Sequence, residues 1–169
     1  THSIVAPFRN SCCNVVKYTF AAGEYDILSF EANSARYVNV VVTEGSAGIT
    51  DFGMVLYENP DAFEFKYDYG DERLNKIVAA SVNTFAQNAV DVLTDCPSRE
   101  RAGWLCDSYF SGRVAFDFSG HTRIEKNFLE NFLLPKEFKH IDKGMLPMCY
   151  PSDHPNQNHI PNWAMWFVL

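Results

Sequence analysis

The hydrophobic period of the chain changes near residue 70, and that change limits the folds open to it. Before it, apolar residues come in short runs: NVVKYTF (14–20), YDILSFEA (25–32), RYVNVVVTEG (36–45) and DFGMVLYENP (51–60). The runs are rich in Val, Tyr and Phe and are separated by Gly, Asn and Ser, as strands are by turns. Between Arg36 and Val42, Tyr37, Asn39 and Val41 face one way and Val38 and Val40 the other. We expect antiparallel strands here, too few for a complete sandwich, so that the sheet needs more strands or a partner over its face. After residue 70, Leu74, Ile77, Val78, Val82, Phe85, Ala89 and Leu93 recur at helical spacing. Asp71 is placed to cap that helix, and Glu72 suits its positive end.

Pro97 cannot continue the helix, which puts a loop at 95–103. Further helices are expected over 105–117, ending near Ser119-Gly120, and over 122–134, where Ile124, Phe128 and Phe132 share a face before Pro135. FKHIDKGMLPMCYPSDHPNQNHIPN then reads as a long loop of the kind that carries function. Pro161 looks like the first turn of a fourth helix. The start lacks Met, and NWAMWFVL breaks off inside an apolar helix, so the chain is expected to be a piece of a larger protein.

Charge narrows the function. A formal net charge of −7 without a Lys/Arg cluster argues against a nucleic-acid partner. No apolar run is long enough for membrane insertion, and THSIVAPFRN does not resemble a signal peptide. Five cysteines, Cys12, Cys13, Cys96, Cys106 and Cys149, cannot all pair within the chain, and their spacing fits no zinc pattern. We read them as free, buried thiols, which leaves the redox compartment open.

The chemistry concentrates in TDCPSRERAGWLCDS (94–108). Asp95 falls at a helix C-terminus, Glu100 in the loop and Asp107 near the next helix start. A helix-loop-helix corner can bring all three to one end of a bundle. Glycoside hydrolysis needs such a group: one acid protonates the leaving oxygen while others stay ionised. Crowded carboxylates, and the desolvation Trp104 would add, raise one pKa among them. Arg99 and Arg101 can orient the acids, and Trp104 can stack on a sugar face. Spacing alone favours a solvated salt-bridge cluster over an active site, and it leaves metal binding open. A second candidate lies in SDHPNQNHIPNW (152–163). There Asp153, Asn158, His159 and Trp163 offer hydrogen bonds and a stacking face to a cleft. An ordinary surface loop is the plain alternative, and His154 and His159 near Asp153 have no standard metal spacing. The aromatics Phe128, Phe132, Trp166 and Phe167 read as core.

TDCPSRERAGWLCD resembles the signature of the bacterial α-L-rhamnosidases of glycoside hydrolase family 78. Their form is Asp-Cys-Pro-x-Arg, one or two acids, Arg, then Gly-Trp and a further Asp. Here it is Asp95-Cys96-Pro97-Ser98-Arg99-Glu100-Arg101, then Gly103-Trp104 and Asp107. Asn88, late in the preceding helix, also fits the pattern. The resemblance implies the strand-rich end of a β-sandwich over 1–70 and the N-terminal helices of an (α/α)6 barrel over 71–169. It implies inverting hydrolysis of terminal α-L-rhamnosyl bonds in rhamnose-containing glycans, with no cofactor and no metal, by a bacterial protein of the periplasm or exterior. Carried over by position, Glu100 is the general acid. Asp95 and Asp107 hold rhamnose hydroxyls and stabilise the oxocarbenium charge, Arg99 supports the carboxylates, and Trp104 lines the pocket. Many members have two acids between the arginines, whereas this chain has Glu100 alone, and Ala102 and Cys106 also depart from the commonest residues. The general base would come from the remainder of the parent chain, which also completes the barrel, so the isolated chain is expected to be inactive. The alternatives are a non-catalytic carbohydrate-binding module, independent of Glu100, and a related barrel glycosidase for another sugar.

Overall fold

A computed structural model describes residues 8–9, 12–13, 15–30, 32–97, 99–139, 141–152 and 158–169. Two compact units divide the chain, Thr1–Tyr57 and Glu58–Leu169.

In the first unit, β1 (Phe8–Arg9) pairs antiparallel with β2 (Cys12–Cys13), Phe8 opposite Cys13 and Arg9 opposite Cys12. Among their described residues, the four strand-like runs between 14 and 60 form no strand, and the last of them runs into a 3-10 turn at Pro60. This corrects the expected partial β-sandwich, which the described residues do not form. Period-two alternation reports which side chains could share a face, but a strand exists only once a neighbour takes up its backbone N–H and C=O groups. Among the described residues no such ladder forms in these runs, and apolar side chains stay in solvent: Val41 and Leu28 are each 76% exposed. What packing there is stays local, as where Phe20 stacks on Tyr25 with centroids 4.7 Å apart.

The second unit is helical. A 3-10 turn, Pro60–Glu64, leads to α1 (Glu72–Asn88), α2 (Leu105–Ser119), α3 (Arg123–Asn131) and the short α4 (Pro161–Met165). Asp71 caps α1 as its sequence suggests, its side chain accepting from Arg73 N–H at 2.8 Å. The helix stops at Asn88, a turn earlier than periodicity extends it. Both the N–H and the hydroxyl of Thr94 donate to the Asn88 carbonyl, and Ala89 pairs with Leu93 across a tight turn. Val92 and Leu93 are buried all the same. At the far end of α2, Gly120 adopts φ 71° and donates to Phe116 O at 2.8 Å, a left-handed cap open to glycine at little cost.

One core joins these elements. Val82, Phe85 and Ala86 of α1 pack with Ala62 of the 3-10 turn, Leu93, Leu105 and Ala115 of α2, and Ile124, Phe128 and Phe132. Full burial of a side chain such as Phe128 contributes roughly 1.5–3 kcal/mol. Asp61 adds a polar tie. His121, in the turn between α2 and α3, donates through Nε2 to its carboxylate at 2.7 Å, and Arg123 donates at 3.0 Å. These bonds, the His121 bond foremost, hold the Asp61 carboxyl below its ordinary pKa.

Candidate active site

The turn after α1 and the start of α2 bracket the charged motif, and backbone bonds close it into a loop. Asp95 N–H donates to Ala102 O at 3.2 Å, and Asp95 Oδ1 accepts from Ala102 N–H at 3.0 Å. Inside this clasp, Glu100 N–H donates to Cys96 Sγ at 3.3 Å. Arg101 adopts φ 49°, a left-handed conformation that costs a non-glycine residue roughly 1–2 kcal/mol. It reverses the chain between Glu100, which faces the cavity described below, and Ala102, which is buried.

The 147–151 segment braces the other side of the motif. Trp104 and Cys149 form an antiparallel bridge. Three backbone bonds flank it, Tyr150 N–H to Gly103 O at 3.0 Å, Gly103 N–H to Pro151 O at 3.2 Å, and Leu105 N–H to Met148 O at 3.0 Å. The approach admits no side chain at Gly103. A Cβ there would overlap the Tyr150 carbonyl oxygen and lie 2.8 Å from the Phe128 ring. Ala102, Met148 and Cys149 form a small second core beneath the bridge, with Trp104, Ile160 and Trp163 against it.

A cavity of about 170 Å³ opens above this frame, lined by Asp95, Arg99, Glu100, Trp104, Asp107 and Trp163. Three carboxylates thus share one hollow with two indoles. Arg99 pairs with Glu100 through Nη1 and Oε1, and the Glu100 side chain is only 19% exposed while that of Arg99 is 47% exposed. Asp107, in the first turn of α2, is exposed. Trp104 and Trp163 meet edge to face at 5.5 Å, an arrangement favoured by the ring quadrupoles. The arrangement offers carboxylate oxygens for hydroxyls and protons, a guanidinium for orientation and an aromatic wall for an apolar ring face.

The other candidates fall elsewhere. His159 Nδ1 donates to Leu146 O at 2.9 Å, and the residue does not line the cavity. Asp153 and His154 lie outside the described residues. Asn88 ties down the turn through its carbonyl, and its own Nδ2 donates to Thr84 O at 2.9 Å. Among the described residues no group of three metal-ligating side chains forms, and no helix is long and apolar enough to cross a membrane. A second hollow of about 190 Å³, lined by Pro135, Glu137, Phe138, Lys139 and Tyr150, contains none of the candidate residues. Cys96 and Cys106 are free thiols. Burial, and behind it the Asp107 charge, pushes the Cys106 thiol up.

Residues 63–169 match the family model of the bacterial alpha-L-rhamnosidase 6 hairpin glycosidase domain. The chain belongs to that family. Comparison with curated proteins gave no match, and comparison with solved structures gave none. A six-hairpin glycosidase domain is an α/α-type helical fold, and the helical unit after residue 57 agrees with it. As a member, the chain carries a rhamnosidase-type glycoside hydrolase domain.

Two features of this glycosidase domain escape a reading of the sequence. Cys96 accepts the Glu100 backbone N–H, although in the sequence it reads as a free thiol and a member of the motif with no stated role. Tyr150 grips Gly103 across 47 residues, and the one signal for it is a glycine beside a tryptophan where the chain offers no turn residue partner.

Proposed function

We propose that the domain hydrolyses terminal α-L-rhamnosyl bonds with inversion, with Glu100 as the general acid. The single observation that supports this is the gathering of Asp95, Arg99, Glu100, Trp104, Asp107 and Trp163 around one cavity. In this reading the sugar ring lies against Trp104 and Trp163. Asp95 and Asp107 accept hydrogen bonds from its hydroxyls and oppose the positive charge that builds on the ring as the glycosidic bond breaks. Glu100 delivers its proton to the leaving oxygen, and Arg99 fixes the direction of that carboxyl group.

Inversion requires a second carboxylate on the opposite face of the sugar, roughly 6.5–9.5 Å from the first, with a water between them. We assign that base to a part of the parent protein outside this chain, together with the helices that complete an (α/α)6 barrel after those of 71–169. The 169-residue chain alone is then expected to bind sugar and not to turn it over.

The test is release of chromophore from a chromogenic α-L-rhamnoside by the full-length protein, wild type beside Glu100→Gln. Removal of a general acid costs about 10²–10⁴-fold in rate. A loss of that size with the fold intact supports the assignment. Equal rates in the two forms would remove Glu100 from the reaction, and cleavage of other α-glycosides in place of rhamnosides would replace the substrate.

A further inference from the structure

Four constraints converge on Glu100, and each comes from a different residue of the loop. Arg99 holds its carboxylate. Arg101 reverses the chain after it through a left-handed backbone. Asp95 and Ala102 close the loop around it with two hydrogen bonds. The fourth is Cys96, whose Sγ accepts the Glu100 N–H at 3.3 Å. Arg99 and Asp95 face the cavity, whereas Cys96 does not line it.

Sulfur is a weak acceptor. A part-buried amide nevertheless needs a partner, because an unmet donor costs about 1–3 kcal/mol. The thiol is free and half-buried. Its place in the loop gives it something to do: the bond from Cys96 to Glu100 bridges four residues and spans Pro97, so it fixes where the Glu100 Cα stands relative to the end of α1. The side chain that leaves that Cα then points into the cavity.

We propose that Cys96 is a positioning residue for Glu100, its reduced thiol holding the amide that aims the acid. The proposal rests on Glu100 being the general acid. A misplacement of about 1 Å at a reacting group costs on the order of 10² in rate, while substrate binding elsewhere in the site is spared.

Two measurements test it. In the 169-residue chain, exchange of the Glu100 amide proton is followed by NMR in wild type, Cys96→Ala and Cys96→Ser. The Glu100 amide is expected to be protected in wild type, to lose protection in Cys96→Ala and to regain much of it in Cys96→Ser. The Ala102 amide, held by Asp95, should stay protected in all three. Unchanged protection of Glu100 in Cys96→Ala overturns the proposal. In the full-length protein, Cys96→Ala is expected to lower kcat about 10- to 100-fold with KM within about twofold, and Cys96→Ser to restore most of it. A merely structural loss would move KM and kcat together and would not be rescued by the hydroxyl, and that outcome also overturns it. Glu100→Gln runs alongside. If it is inactive while Cys96→Ala matches wild type, the proposal fails and the acid assignment stands. If it matches wild type, the acid assignment fails and the proposal falls with it.

Discussion

Trp104 and Trp163 stand 59 positions apart in sequence, yet their rings meet edge to face with centroids 5.5 Å apart at the rim of the acidic cavity. Trp104 is the residue before α2, and Trp163 lies in α4. The contact joins the two helices where the candidate acids converge.

Replacing Trp163 by Ala therefore removes part of the wall and one half of the pair. An aromatic pair contributes about 0.5–1.5 kcal/mol beyond area burial. We expect affinity of the chain for methyl α-L-rhamnoside to fall about tenfold, which corresponds to about 1.4 kcal/mol. Titration followed by the fluorescence of the remaining tryptophans measures it. Undiminished affinity would take Trp163 out of the sugar site.

Gly103 admits no larger residue. A methyl group there must displace the Tyr150 backbone or the Phe128 ring. Gly103→Ala is expected to cost about 1–3 kcal/mol, the usual range for forced overpacking. Urea denaturation gives the value, and a change under 0.5 kcal/mol would show that the 147–151 segment yields without cost, in contrast to the usual penalty.

Asp61 makes stability depend on pH in one direction. Its carboxyl is held below the ordinary value, chiefly by the hydrogen bond from His121 and next by the Arg123 charge. Above the unfolded carboxylate pKa, about 3.9, the charged form is fully favoured by folding. As pH falls through the lowered folded value, that contribution disappears. Asp61→Asn should therefore melt below wild type at pH 7, and the gap should narrow at pH 3. A gap that is constant with pH would mean that the carboxylate charge plays no part.

Helical periodicity made the helices legible, but burial follows it throughout only in α3. In α1 Val82 and Phe85 are buried as their spacing requires while Leu74 and Ile77, on the same expected face, are exposed. Ile124, Phe128 and Phe132 all lie inward as their spacing requires. It failed at Leu93, which is buried at a helical interval by a turn instead of a helix, since burial and helicity are separate facts. The strand reading failed for a related reason. Alternation along residues 36–42 describes a face, whereas pairing depends on a second segment that no local pattern reveals. The motif around Glu100 could be read because its residue types are rare in combination. The grip of Tyr150 on Gly103 could not, because it joins two backbones 47 residues apart and constrains side-chain identity only at Gly103.

Asp95 illustrates a consequence for genetics. One of its carboxylate oxygens accepts the Ala102 amide that shuts the loop, and under the proposed function the acceptor sites that remain serve a sugar hydroxyl. On that proposal, architecture and chemistry share a single functional group. A dead Asp95→Ala allele is therefore ambiguous on its face: a collapsed loop and a lost ligand contact would look the same in a turnover assay. Asparagine, which keeps an oxygen for the amide, separates the two phenotypes.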